Sequence, residues 1–118
     1  MHVSPLVDWS ITLYEDLSPT EFVSLRDADD AWQIVDVREP WEIEIASLPH
    51  SIRIPLAELP SRHAELDADR LVAVLCHSGG RSAKAAEFLA SQGFSQVVNI
   101  AGGIDAWARE VDNSLPRY

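Results

Sequence analysis

The sequence predicts an α/β fold built on a five-stranded, mainly parallel sheet with helices on both faces, and three observations carry that expectation. Segments rich in β-branched and aliphatic residues, such as Trp32–Val37, Leu71–Leu75 and Gln96–Ile100, alternate along the chain with segments of helical spacing. At least two of these runs are continuously apolar, as strands covered on both faces are. The strand ends carry short polar or glycine-bearing turns, and in such sheets ligands sit beyond the carboxyl ends of the strands.

Taken in order, Met1 to about Ser10 has no clear periodicity and reads as an irregular lead-in, leaving one domain over residues 11–118. Ile11–Tyr14 reads as a short edge strand. Ser18-Pro19-Thr20-Glu21 is a helix start, with Ser18 as N-cap, Pro19 in the first turn and Glu21 completing a capping box. Phe22 and Leu25 give that helix its apolar face. Trp32–Val37 is a buried strand, and Pro40 opens a helix over Trp41–Ala46 with Glu42 and Glu44 on its exposed side. After a turn at Leu48–Ser51 come a short strand, Ile52–Ile54, and a helix over Leu56–Leu66 interrupted near Pro60. Leu59 and Leu66 face inward from it.

Asp67–Arg70 leads into the central strand, Leu71–Leu75, which stops at Cys76. A helix follows over Ser82–Gln92 with Ala86, Leu89 and Ala90 on one stripe. Gly93 suits the left-handed C′ position, with Phe94 folded back onto the last turn. Gln96–Ile100 is the next strand, Gly102-Gly103 a turn, and Ile104–Val111 the last helix.

Composition narrows the class. The chain has 118 residues, one cysteine and a net charge of −10. One domain of this length buries a core without disulfides or metal, and a lone cysteine suits a reducing cytosol. So acidic a surface disfavours nucleic acid and anionic membranes. No apolar run reaches the roughly 20 residues of a membrane span, and the first residues lack the pattern of a secretory signal, so the expected location is the cytoplasm. Arg81 and Lys84 near the cysteine predict a positive spot on this negative body.

Chemistry concentrates in Cys76-His77-Ser78-Gly79-Gly80-Arg81-Ser82. A thiol at a strand end, followed by a glycine turn and a helix start, faces backbone N–H groups and the positive end of a helix dipole. That field favours the thiolate, the nucleophilic form. A lone cytosolic cysteine is more often a small core residue, but two adjacent glycines and an arginine after it have little packing value. Cys76, Asp36 and the Gly102-Gly103 turn all fall at strand ends and are expected to converge. His2, His50 and His63 have no ligand-like spacing with Cys76, so neither a metal nor another cofactor is expected.

These motifs resemble the rhodanese family of sulfurtransferases. The resemblance runs from about Leu17 to Arg109 and rests on DVREPWE (Asp36–Glu42), SLPHSIRIPL (Ser47–Leu56), CHSGGRS (Cys76–Ser82) and AGGIDAW (Ala101–Trp107). It implies that Cys76 takes a sulfane sulfur from an anionic donor such as thiosulfate, forming a persulfide, and passes it to cyanide or a thiol. His77, Ser78, Gly79, Gly80, Arg81 and Ser82 then form the loop that holds the persulfide, with Arg81 attracting the donor. Asp36 and Arg38 match the family's Asp-x-Arg, read as a supporting ion pair or loop brace. Trp107 and the glycine turn read as packing features. With no second cysteine, the acceptor comes from outside. The chain departs from the family's His-Ile-Pro-Gly-Ala turn in having His50 where glycine is usual, which implies a less comfortable backbone or a reshaped rim.

Three alternatives stand beside this reading. Phosphatases and arsenate reductases related to the fold place five residues between Cys and Arg, whereas four stand here, and the shorter loop favours sulfur. A non-catalytic binding module commonly loses the cysteine, which this chain keeps. The tail VDNSLPRY is similar to the ends of domains that work with enzymes activating ubiquitin-like sulfur carriers, which suggests a relay to such a carrier.

Overall fold

The computed structural model describes residues 14–28 and 32–118. Its elements are β1 (Glu15–Leu17), α1 (Pro19–Ala28), β2 (Gln33–Asp36), α2 (Pro40–Ile45), β3 (Ile52–Arg53), α3 (Leu59–Arg62), β4 (Val72–Leu75), α4 (Gly80–Ser91), β5 (Val97–Ile100) and α5 (Gly103–Glu110). The five strands form one sheet in the order β1-β5-β4-β2-β3, and every pairing is parallel. β4 is therefore the central strand, with Val74 opposite Val35 on one side and Asn99 on the other. No helix among the described residues is long and apolar enough to cross a membrane.

Both faces of the sheet are covered, as a parallel sheet requires. Alternate residues of β4 divide between two cores. Ala73 and Leu75 join Phe22, Leu25, Trp32, Ile104 and Trp107 under α1 and α5. Val72, Val74 and Cys76 join Leu59, Ala85, Ala86, Leu89 and Phe94 under α3 and α4. Phe22 meets Trp32 edge-on at 5.1 Å, which fixes α1 against the sheet.

Local chemistry explains most boundaries. The Ser18 hydroxyl accepts from the Glu21 N–H at 3.1 Å, and the Glu21 carboxylate accepts from the Ser18 N–H at 2.9 Å, the reciprocal capping box the sequence predicts. At the end of α4, the Phe94 N–H reaches the Leu89 carbonyl and the Gly93 N–H the Ala90 carbonyl, with Gly93 at φ 94°. That pattern is a Schellman cap, and Phe94 is buried by it.

Two elements differ from expectation. The edge strand forms at Glu15–Leu17, with Leu17 opposite Ile100. Of the expected Ile11–Tyr14, residues 11–13 lie outside the described residues, as does the lead-in, and Tyr14 is not in the strand. An edge strand with one buried residue, Leu17, needs no apolar run. The Leu56–Leu66 segment is not one helix: 3₁₀ turns at Leu56–Glu58 and His63–Glu65 flank a single turn of α3. Pro60, which cannot donate a backbone hydrogen bond, sits in that turn, while Leu59 and Leu66 are buried as expected.

His50 adopts φ 62°, a left-handed conformation that suits glycine and costs a side chain about 1–2 kcal/mol. The turn thus keeps the backbone that glycine would supply and carries the strain. His50→Gly is expected to raise stability by about 0.5–1 kcal/mol, the strain relieved minus the greater unfolded-state freedom of glycine, measured by urea denaturation.

Candidate active site

Cys76 follows the central strand directly and is 1% exposed. Its sulfur receives the Gly79 N–H at 3.0 Å, and the Ser82 hydroxyl lies at 3.2 Å. Gly79 makes this possible by taking φ 107° as the N-cap of α4, which turns the chain back over the thiol and aims the helix N-terminus at it. The Ser82 hydroxyl has one proton and also faces the Asn99 Oδ1 at 2.5 Å and the Gly79 carbonyl at 3.2 Å. Asn99 Nδ2 donates in turn to Asp16 Oδ1 at 2.8 Å and to the Gly79 carbonyl at 3.3 Å. A sulfur anion here has an N–H, a hydroxyl and a helix dipole around it.

The Gly102-Gly103 turn does more than pack. The Ile104 N–H donates to the Cys76 carbonyl at 2.9 Å and the Asp105 N–H to the His77 carbonyl at 3.1 Å, so the start of α5 holds the back of the cysteine loop. A Cβ on Gly103 would collide with both carbonyls. Here glycine is required by close approach of backbones.

Asp36 and Arg38 are both fully buried. Asp36 Oδ2 accepts from Arg38 Nη2 at 2.7 Å and Oδ1 from Nε at 3.0 Å. Arg38 Nη1 donates to the Glu42 carbonyl and the Tyr118 hydroxyl, and Nη2 also to the Ala46 carbonyl. All five guanidinium N–H groups are thereby satisfied. Arg38 thus pins the middle and the C-cap of α2 to the end of β2, the geometry of a brace, and its groups are turned away from solvent.

Glu42 corrects the expectation of an exposed face. It is 3% exposed, and its carboxylate receives Arg81 Nη1 and Nη2, each at 2.7 Å, the Tyr118 hydroxyl at 2.9 Å and the Glu39 N–H at 2.9 Å. The helix turns this side chain toward the cysteine loop because Arg81 of that loop is its partner. Hydrogen bonding from Arg81 outweighs burial and lowers its pKa from 4.5 to about 2. The positive spot expected from Arg81 is accordingly an ion pair, and Lys84 is exposed one turn further along α4.

Tyr118 closes this arrangement. Its hydroxyl bridges Arg38 and Glu42, and its ring stacks on His77 with centroids 4.1 Å apart and planes at 14°. Arg117 beside it pairs with Asp105 of α5 at 2.9 Å. Of the loop residues read from the sequence, Cys76, Gly79 and Ser82 come together, Arg81 turns to Glu42, and His77 stacks under Tyr118. Ser78 and Gly80 are exposed. Glu42, Asn99 and Tyr118 escaped the sequence reading. Asn99 had a signal, a polar residue inside an apolar strand, and Tyr118 had none. Among the described residues no group of three or more His, Cys, Asp or Glu is placed to hold a metal ion.

Comparison with known proteins bears on this geometry. The family profile described as Rhodanese-like domain matches residues 18–110. The chain is 47% identical to Rhodanese-like/PpiC domain-containing protein 12, chloroplastic, of Arabidopsis thaliana, over 75% of this chain and 31% of that protein. It is 41% identical to a protein named Sulfurtransferase from Allochromatium vinosum, over 72% of this chain and 78% of that one. With Adenylyltransferase and sulfurtransferase MOCS3 of Arabidopsis thaliana it shares 31% identity over 86% of this chain, only 25% of that protein. The crystal structure of a rhodanese-related protein from Thermoplasma volcanium superposes with a TM-score of 0.74 at 37% identity, covering 83% of this chain and 94% of that one.

Two outcomes follow from the ion pairs. Arg38→Leu leaves Asp36 buried without its cation and is expected to cost about 3–5 kcal/mol, read from the urea midpoint. Glu42 titrates below its unfolded value of 4.5. Its stabilisation, on the order of 3 kcal/mol, is whole above pH about 5 and lost as pH falls toward 2. Denaturation across that range should show the loss in the wild type and a flatter profile in Glu42→Gln.

Proposed function

The chain belongs to the rhodanese-like family of sulfurtransferases, and on that premise we propose that Cys76 is the nucleophile that carries a sulfane sulfur as a persulfide. The observation that carries this reading is the Cys76 sulfur itself, held by the Gly79 N–H and beside the Ser82 hydroxyl at the N-terminus of α4. Those groups suit an anionic sulfur, and they suit the outer sulfur of a persulfide on the same side chain.

In the first step the thiolate attacks the sulfane sulfur of a donor. With thiosulfate, the new bond joins Cys76 Sγ to that sulfur, the old S–S bond breaks, and its electron pair leaves with sulfite. In the second step an external nucleophile, cyanide or a thiol, attacks the outer sulfur and Cys76 departs as thiolate. Sulfur moves with no net oxidation of the protein, so neither metal nor organic cofactor is called for. The backbone of His77 to Ser82 would line the persulfide, and Asp36 and Arg38 would support the loop from beneath through α2.

Cys76 is the only cysteine of these 118 residues, so the acceptor is taken to lie outside them. A relay to a sulfur-carrier protein is the second reading. It is favoured by likeness to the MOCS3 protein and to Putative sulfur carrier protein YrkF of Bacillus subtilis, 36% identical over 82% of this chain. This chain spans 25% of the MOCS3 protein and 52% of YrkF. A lone cysteine serving as a persulfide also suits a reducing compartment, which we take to be the cytoplasm.

Treatment with thiosulfate followed by mass spectrometry should reveal a one-sulfur adduct on the wild type and none on Cys76→Ser. In a cyanide assay the same substitution should lower thiocyanate formation by roughly 10³-fold. Ready thiocyanate formation by the variant would refute Cys76 as the carrier.

A further inference from the structure

Among the described residues, Arg81 of the cysteine loop and Arg38 of the brace are already paired, while Lys84 stands exposed one turn further along α4. The Arg81 guanidinium lies flat against Glu42 through two 2.7 Å contacts. Arg38 is consumed by Asp36, Tyr118 and two carbonyls. Glu42 does not release Arg81 cheaply. It is buried, it stays ionised across ordinary pH, and the Tyr118 hydroxyl and Glu39 N–H hold it in place. An incoming anion that drew Arg81 away would leave a buried carboxylate short of its charge partner.

The groups bonded to the Cys76 sulfur are one N–H and one hydroxyl, at a helix N-terminus on a body of net charge −10. Such a cradle suits a single negative charge. With thiosulfate as donor, the site must hold a thiolate beside a dianion and then release sulfite, also a dianion. With an alkyl persulfide the load is smaller: Cys76–S⁻ + R–S–SH gives Cys76–S–SH + R–S⁻. The Sγ–S bond forms as the donor's S–S bond breaks, the pair leaves on the R–S⁻ thiolate, and with the donor in its protonated form one negative charge is present throughout.

We propose that Glu42 is a specificity-determining residue: by pairing with Arg81 it discharges the cysteine loop and selects an organic persulfide over dianionic thiosulfate as sulfur donor. This rests on the sulfur-transfer reading above and narrows its substrate class. Glu42 sits on α2, outside the loop, and acts on the reaction only through Arg81.

The test is single-turnover sulfuration of Cys76, followed by mass spectrometry, with thiosulfate and with 2-hydroxyethyl persulfide as donors. In Glu42→Gln at low ionic strength, the second-order rate with thiosulfate is expected to rise about 10-fold, and most of that gain should vanish in about 0.5 M salt, where screening is nearly complete. The persulfide rate should stay within about 2-fold. Glu42→Asp, which keeps the charge, should behave as the wild type does. A wild-type measurement needs no variant to fold: with Arg81 paired to Glu42, thiosulfate approaches a body of net charge −10, and its rate should rise with added salt. A wild-type rate that falls with salt, or a Glu42→Gln variant in which both donors change together or thiosulfate slows, would overturn the proposal while leaving sulfur transfer intact. Were neither donor to sulfurate wild-type Cys76, the sulfur-transfer reading would itself fail, and this one with it.

Discussion

The buried pair of Asp36 and Arg38 is the constraint on which the site depends. A guanidinium with no exposure is tolerable only when its charge is paired and all its N–H groups find acceptors. Here they do, and the acceptors are distributed with consequence: Asp36 at the end of β2, the Glu42 and Ala46 carbonyls on α2, and the Tyr118 hydroxyl. The pair therefore fixes α2 relative to the sheet. From α2, Glu42 reaches Arg81 in the cysteine loop. One buried charge thus orders a chain of contacts that ends two elements away at the loop.

The loop is held from the other side by backbone alone. α5 begins where Gly103 can pass against the Cys76 and His77 carbonyls, and its first N–H groups satisfy them. These bonds take up the carbonyl side of the loop, while the Gly79 N–H turns to the sulfur. The arrangement separates two jobs. Side-chain ion pairs set the rim and its charge, and backbone hydrogen bonds set the cradle around the thiol.

That separation bears on chemistry. A cysteine loop with an arginine six residues into it suggests an anion-binding cation, yet the arginine serves here as an anchor. Preorganised dipoles are sufficient for one developing charge on sulfur. A free guanidinium in the same place would favour more highly charged substrates. Glu42 decides between these regimes without touching the nucleophile.

Much of this was legible in the amino-acid sequence. The apolar runs, the capping box at Ser18 and the Schellman end at Gly93 are local patterns, and local sterics and hydrogen bonding determine them wherever the chain goes. So does the strand–turn–helix at Cys76, which specifies a thiol before a helix N-terminus from spacing alone. Even the strain at His50 follows from one residue in a turn where glycine is usual. The edge strand and the broken Leu56–Leu66 segment were less legible, because pairing with β5 and one proline outweighed periodicity. What only the tertiary structure decided is which side of α2 Glu42 occupies and what Arg81 does with its charge. Those depend on partners 39 positions apart in one case and 80 in the other, Glu42 with Arg81 and Arg38 with Tyr118. Contacts of that range leave no periodic trace, since only the folded sheet brings their elements together.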